Sequence, residues 1–117
     1  MKLRIRGNSI RFRLLKSEVA ELAEKGSVSE STDFGDSRLT YSIVQGSGTS
    51  AGFANGAVTV TVSEEEIRAW ADDDSKIGIE ADSEGLKILI EKDFACPTRK
   101  DDPDNLDAFA NPEAVCT

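Results

Sequence analysis

Basic residues recur at every second position near the start of the chain, and they are the residue types best suited to binding chemistry. They are Lys2, Arg4, Arg6, Arg11 and Arg13. Because side chains alternate between the two faces of a β-strand, each of the two basic stretches places its cations on one face. If the two strands pair as a hairpin with their apolar residues inward, five cations gather on one surface. Guanidinium groups bind phosphate and carboxylate through paired hydrogen bonds, so the sequence predicts a face for an anionic ligand.

The competing interpretation is that this chain neutralises its own cations. Glu30, Glu80 and Glu91 fall in predicted strands, and aspartates are frequent after residue 92. Opposite charges that face each other across neighbouring strands are ordinary in sheets. The sequence leaves both interpretations open.

Two cysteines, Cys96 and Cys116, form a possible thiol pair near the end of the chain. They could be unrelated free thiols, or they could close the last segment as a disulfide, although disulfides are uncommon in cytosolic proteins. The chain has no histidine, so a four-ligand zinc site has poor support, and neither thiol has an imidazole to activate it.

Acidic runs are the remaining candidates for chemistry. Asp72–Asp74 and Asp101–Asp104 could attract a hard cation, but neither has the spacing of a calcium loop. We interpret both as solvated charge and predict no metal site and no cofactor. The sequence also lacks a phosphate-binding glycine loop and a nucleophile elbow.

Composition limits the classes of partner. The 117 residues carry a formal net charge of −8, which argues against binding to nucleic acid or to an anionic membrane surface. No stretch has the roughly 18 apolar residues that a membrane span needs. Charged and apolar residues alternate from Met1 to Arg6, unlike the apolar segment of a signal peptide. We therefore expect a cytoplasmic protein, either a monomer or a weak homodimer, with an anionic small molecule or an acidic protein segment as its partner.

The elements that must position the basic residues occur twice. In residues 10–26 and again in 58–74, apolar residues first recur at every second position and then at every third or fourth. That change of period marks a strand that runs into a helix. A short turn precedes each of the two strands that run into a helix, and Asn55-Gly56 in the second of these turns is a strong hairpin signal. Two further strands follow each helix, so the order is strand, strand, helix, strand, strand, twice.

This pattern predicts an α+β fold: a mostly antiparallel sheet of about eight strands with two helices, either barrel-like or an open sheet backed by helices. We expect one domain over residues 1–92, built from pseudo-repeats 1–46 and 51–92. Residues 93–117 form an acidic tail that is extended or packed over the domain, with Leu106 and Phe109 as its possible anchors.

The sequence has a capping residue at the expected position before the second helix but not before the first. Ser63 and Glu66 form a capping box before the second helix, and Gly26 ends the first helix, predicted over residues 16–25. Leu15 stands at the capping position of the first helix and cannot cap, so Ser17 is the predicted substitute.

Several stretches resemble a family of small uncharacterised bacterial proteins: Met1–Leu14, Lys16–Val19, Glu91–Cys96 and Asp107–Pro112. The resemblance implies a domain of unknown function and no cofactor or site residue. In that family a threonine often stands at the position of Leu15.

Two functions follow from the residues. The first is a non-catalytic binding or interaction domain that takes an anion on its arginine-rich face. The alternative is a small enzyme for a phosphorylated or acidic substrate. Its arginines would position the anion, and Glu80, Glu91 or Asp93 would act as a base or as metal ligands.

Overall fold

The computed structural model describes residues 1–95 and 106–110. Eight strands and two helices follow the predicted order. The strands are β1 (Lys2–Arg6), β2 (Ser9–Leu14), β3 (Ser27–Asp33), β4 (Arg38–Gly46), β5 (Ser50–Ala54), β6 (Ala57–Ser63), β7 (Gly78–Ser83) and β8 (Leu86–Lys92). The helices are α1 (Lys16–Lys25) and α2 (Glu64–Asp72). The α+β class is therefore confirmed, and α1 has its predicted bounds.

The strands form two separate four-stranded sheets that do not close into a barrel. Their strand orders are β1-β2-β8-β7 and β3-β4-β6-β5. Four of the six strand pairings are antiparallel, and the two central pairings, β2 with β8 and β4 with β6, are parallel. Each sheet joins one hairpin from the first half of the chain to one hairpin from the second half.

Local sequence explains the hairpins and the helix ends. Asn55 and Gly56 both have positive φ, of 51° and 74°, as a type I′ turn between β5 and β6 requires. The Ser63 hydroxyl accepts the amide of Glu66 at 3.3 Å and begins α2. Gly26 has a φ of 81° and ends α1 in the left-handed conformation that glycine adopts without strain.

One hydrophobic core joins both sheets and both helices. Phe12 of the first sheet and Tyr41 of the second have ring centroids 6.5 Å apart, and α2 contributes the fully buried Trp70. The apolar residues of β2 lie in this core, so the basic residues between them face away from it. No helix among the described residues is long and apolar enough to cross a bilayer.

Candidate functional site

Strand alternation gathers the five predicted cations on the outer side of the first sheet. Lys2 lies opposite Arg13, Arg4 opposite Arg11, and Arg6 opposite Ser9. We call this surface, made of the five cations, the basic face. Since like charges directly opposite each other are destabilising in a sheet, the arrangement needs counter-charges.

Carboxylates at the end of β8 supply part of that charge. The Glu91 Oε1 atom lies 3.2 Å from Nε of Arg11 and 4.0 Å from Nε of Arg13. The Asp93 Oδ2 atom lies 3.1 Å from Nζ of Lys2. Three cations of the basic face therefore have partners, and the competing interpretation is right for this part of the surface.

Arg4 and Arg6 differ from the other three cations. Across residues 1–95 and 106–110, no carboxylate lies within 4.0 Å of either guanidinium group. Glu30, one of the predicted counter-charges, lies in the other sheet and pairs with the Met1 ammonium at 2.8 Å. Glu80 lies on β7, beyond Leu89. Arg4 and Arg6 thus carry positive charge that the described structure does not neutralise.

A shallow depression of about 210 Å³ lies at these two arginines. Its lining consists of Arg4, Arg6, Ser9, Arg11 and Leu89. The Ser9 hydroxyl donates to the carbonyl oxygen of Arg6 at 2.9 Å, so the guanidinium groups supply the hydrogen-bond donors. Liquid water occupies about 30 Å³ per molecule, and drug-sized ligands need about 300 Å³ or more. The depression therefore has room for a small anionic group.

Residues 106–110, which we call the returning segment, lie against the end of β8. Phe109 forms a β-bridge with Phe94; its carbonyl oxygen accepts from the Ala95 amide at 2.7 Å, and its amide donates to the Asp93 carbonyl oxygen at 2.8 Å. The Phe109 side chain packs against the core, whereas Leu106 is 92% exposed. Of the two predicted anchors, Phe109 packs against the domain and Leu106 does not.

The returning segment also caps α1, which sequence reasoning missed. The Asp107 carboxylate accepts the Ser17 amide at 3.2 Å and the Ser17 hydroxyl, and its backbone carbonyl accepts the Lys16 amide at 2.9 Å. The prediction that Ser17 caps by starting the helix later is wrong, because α1 begins at Lys16. The carboxylate of Glu18 accepts the Leu15 amide at 2.8 Å and supplies half of a capping box.

Lys92 is a second feature that the sequence did not indicate. This lysine is only 2% exposed. Its ammonium donates to the Asp73 carbonyl oxygen at 2.8 Å, just beyond the last turn of α2. It also lies 5.8 Å from the Trp70 ring centroid and 5.4 Å from that of Phe109. Burial lowers the pKa of Lys92, and nearby Asp74 and Asp73 offset this only in part.

The Met1 ammonium lies between two glutamates on the opposite side of β1 from the depression. It pairs with Glu18 and Glu30. Burial acts to lower the pKa of this ammonium, but hydrogen bonds and attraction from the two carboxylates outweigh it, so the pKa is raised. Burial, followed by the Glu30 charge, also raises the pKa of Tyr41. These groups stabilise the junction of β1, α1 and the second sheet.

Some predicted sites fall elsewhere. Cys96, Cys116 and the run from Asp101 to Asp104 lie outside the described residues. Within the described part of the chain, no group of three or more acidic or cysteine side chains is placed to hold a metal.

Comparison with known proteins gives one match. The model of a family described as a family of unknown function matches residues 1–113. No curated protein and no solved structure matches the chain.

Proposed function

Because the chain belongs to this family of unknown function (DUF7009), we propose its function from the geometry alone. The protein is a non-catalytic binding domain whose basic face takes an anionic group at Arg4, Arg6 and Arg11. The observation that carries this proposal is the positive charge of Arg4 and Arg6 beside the depression, which no carboxylate of residues 1–95 and 106–110 balances.

Energetics support an anion at this place. Arg4 and Arg11 are directly opposite in the hairpin, and such like-charged pairs repel. Glu91 already offsets part of that repulsion at Arg11. An anion beside Arg4 would offset the rest through charge-assisted hydrogen bonds, which are about twice as strong as neutral ones. The chain's overall charge of −8 makes nucleic acid and anionic membranes poor partners, so a small anion or an acidic protein segment fits better.

The enzyme alternative has less support from the described residues. Glu80, one of the three predicted carboxylates, lies on β7, with Leu89 of β8 between it and Arg11. Of the other two, Glu91 is shared by Arg11 and Arg13, and Asp93 is paired with Lys2. Both are already engaged by cations of this chain, so we prefer binding to catalysis.

Three further expectations stay predictions. The cytoplasmic location and the bacterial origin rest on sequence pattern and resemblance. The proposal that the two halves are copies of one unit is supported by the matching strand orders of the two sheets.

Thermal unfolding with pyrophosphate tests the proposed function. At a hundredfold excess over Kd, a specific ligand adds about 2.7 kcal/mol to the free energy of unfolding. For a chain of this length that corresponds to a rise in Tm of about 10 °C. The Arg4→Gln/Arg6→Gln variant should lose this rise.

The matched control is Arg38→Gln/Arg68→Gln, which removes the same charge from two exposed ion pairs. It should keep the rise in Tm. No stabilisation of the wild type, or equal stabilisation of the Arg4→Gln/Arg6→Gln variant, would contradict the proposal.

A further inference from the structure

The strand that carries Arg4 and Arg6 lies at an edge of its sheet. Among the described residues, β1 pairs with β2 alone. In an antiparallel pair, alternate backbone N–H and C=O groups of the outer strand point away from its partner. Such an edge accepts a further strand unless it is covered or blocked. Within residues 1–95 and 106–110 nothing pairs with this outer edge of β1, so its backbone can bind another extended segment.

The side chains of β1 specify what that segment would carry. On the outer side, Arg4 and Arg6 lack a carboxylate partner among the described residues. On the other side Ile5 is 62% exposed, although Ile10 directly opposite is only 7% exposed. A strand added at the usual spacing of about 4.8 Å would place acidic side chains beside the arginines and an apolar side chain over Ile5.

We infer that β1 binds an extended acidic segment of a partner protein by strand addition, with acidic residues at every second position and apolar residues between them. This inference rests on the proposed function, because it names the class of anionic partner that the basic face takes. A second copy of β1 does not fit, since its own cations would face Arg4 and Arg6. Five residues of β1 match a partner segment of about five to seven residues.

A labelled heptapeptide of alternating valine and glutamate, titrated at pH 7 into the full chain, tests the inference by fluorescence anisotropy. Arg4→Gln/Arg6→Gln should weaken its binding about tenfold, because two ion pairs are lost. Arg38→Gln/Arg68→Gln, which removes equal charge elsewhere, should change the affinity less than twofold.

A second peptide separates strand pairing from charge. N-methylation of alternate amides blocks one hydrogen-bonding edge of the heptapeptide and leaves its glutamates in place. We expect this peptide to bind at least tenfold more weakly than its parent. Amide hydrogen exchange along β1 should slow with the parent peptide and stay unchanged with pyrophosphate.

The outcomes distinguish this inference from the proposed function. If pyrophosphate binds and the peptide does not, or if both peptides bind equally, strand addition is wrong and the anion site stands. If neither ligand binds the wild type or the Asp101→Asn/Asp102→Asn/Asp104→Asn variant, the anion site and strand addition are both wrong. If the peptide binds only after Asp101→Asn, Asp102→Asn and Asp104→Asn are introduced together, the chain's own acidic segment is the occupant, and the inference of a partner protein is wrong.

Discussion

Replacing Asp107 with alanine should destabilise α1 from a distance of 90 residues along the chain. Leu15 occupies the N-cap position and makes no side-chain cap. The Asp107 carboxylate caps the helix instead, by accepting two hydrogen bonds from Ser17. Loss of a capping side chain costs about 1 kcal/mol. Loss of a negative charge at a helix N-terminus costs about 0.3–1 kcal/mol more.

The expected loss for Asp107→Ala is therefore about 1–2 kcal/mol. The hydrogen bond from the Lys16 amide to the Asp107 backbone carbonyl survives the substitution, which sets the upper limit. For a chain of this length, the loss lowers Tm by about 4–8 °C. Urea unfolding followed by circular dichroism measures the free energy directly.

Two further variants make the result specific. Asp36→Ala removes the same charge from an exposed position in the turn between β3 and β4 and should change stability by less than about 0.5 kcal/mol. Leu15→Thr gives α1 a side-chain cap of its own, so Asp107→Ala should cost less in that background. If Asp107→Ala and Asp36→Ala lose equal stability, or if Leu15→Thr leaves the cost of Asp107→Ala unchanged, the capping account is wrong.

Three other substitutions have expected outcomes, each measured by urea unfolding. Lys92→Met should change stability at pH 7 by less than about 1 kcal/mol, because the lost hydrogen bond and cation–aromatic contacts are offset by removal of the burial penalty on the ammonium. The folded state lowers the pKa of Lys92 below its usual 10.5, so the wild type gains stability as the pH rises toward 10.5. The variant should lack that rise, and parallel pH profiles of the two proteins would contradict this account. Glu84→Asn should add about 0.5–1 kcal/mol, because Glu84 has a φ of 51° before Gly85 and asparagine tolerates that conformation better; unchanged stability would count against it. Gly56→Ala should cost about 2 kcal/mol or more, because φ is +74° and the new Cβ would lie 2.8 Å from the Arg38 carbonyl oxygen; a cost below about 0.5 kcal/mol would refute the strain.

Local patterns in the sequence predicted most of the elements and the placement of the cations. Alternation in β1 and β2 put the five basic residues on one face because a strand has a strict period of two. Asn55-Gly56 predicted a hairpin because its turn needs positive φ. Gly26 and Ser63 marked helix ends through backbone conformation and a side-chain acceptor, which are properties of single residues.

Pairings between distant parts of the chain could not be predicted in the same way. Nothing local states that β2 lies beside β8, because both are apolar strands that would fit other neighbours equally well. The cap from Asp107 depends on where the returning segment lies, and the role of Lys92 depends on the end of α2 meeting the end of β8. The sequence also predicted five equivalent cations, whereas long-range ion pairs leave only Arg4 and Arg6 without a described partner.

The position of β8 in the first sheet delays the folding of that sheet during synthesis. Of the eight strands that the structure describes, β8 leaves the ribosome last, yet it is an inner strand between β2 and β7. Its pairing with β2 joins residues such as Arg11 and Leu89. Contacts so distant in the chain slow folding. Until β8 emerges, the nascent hairpin of β1 and β2 exposes the unpaired edge of β2 as well as that of β1, and the translating chain is then most vulnerable to mispairing.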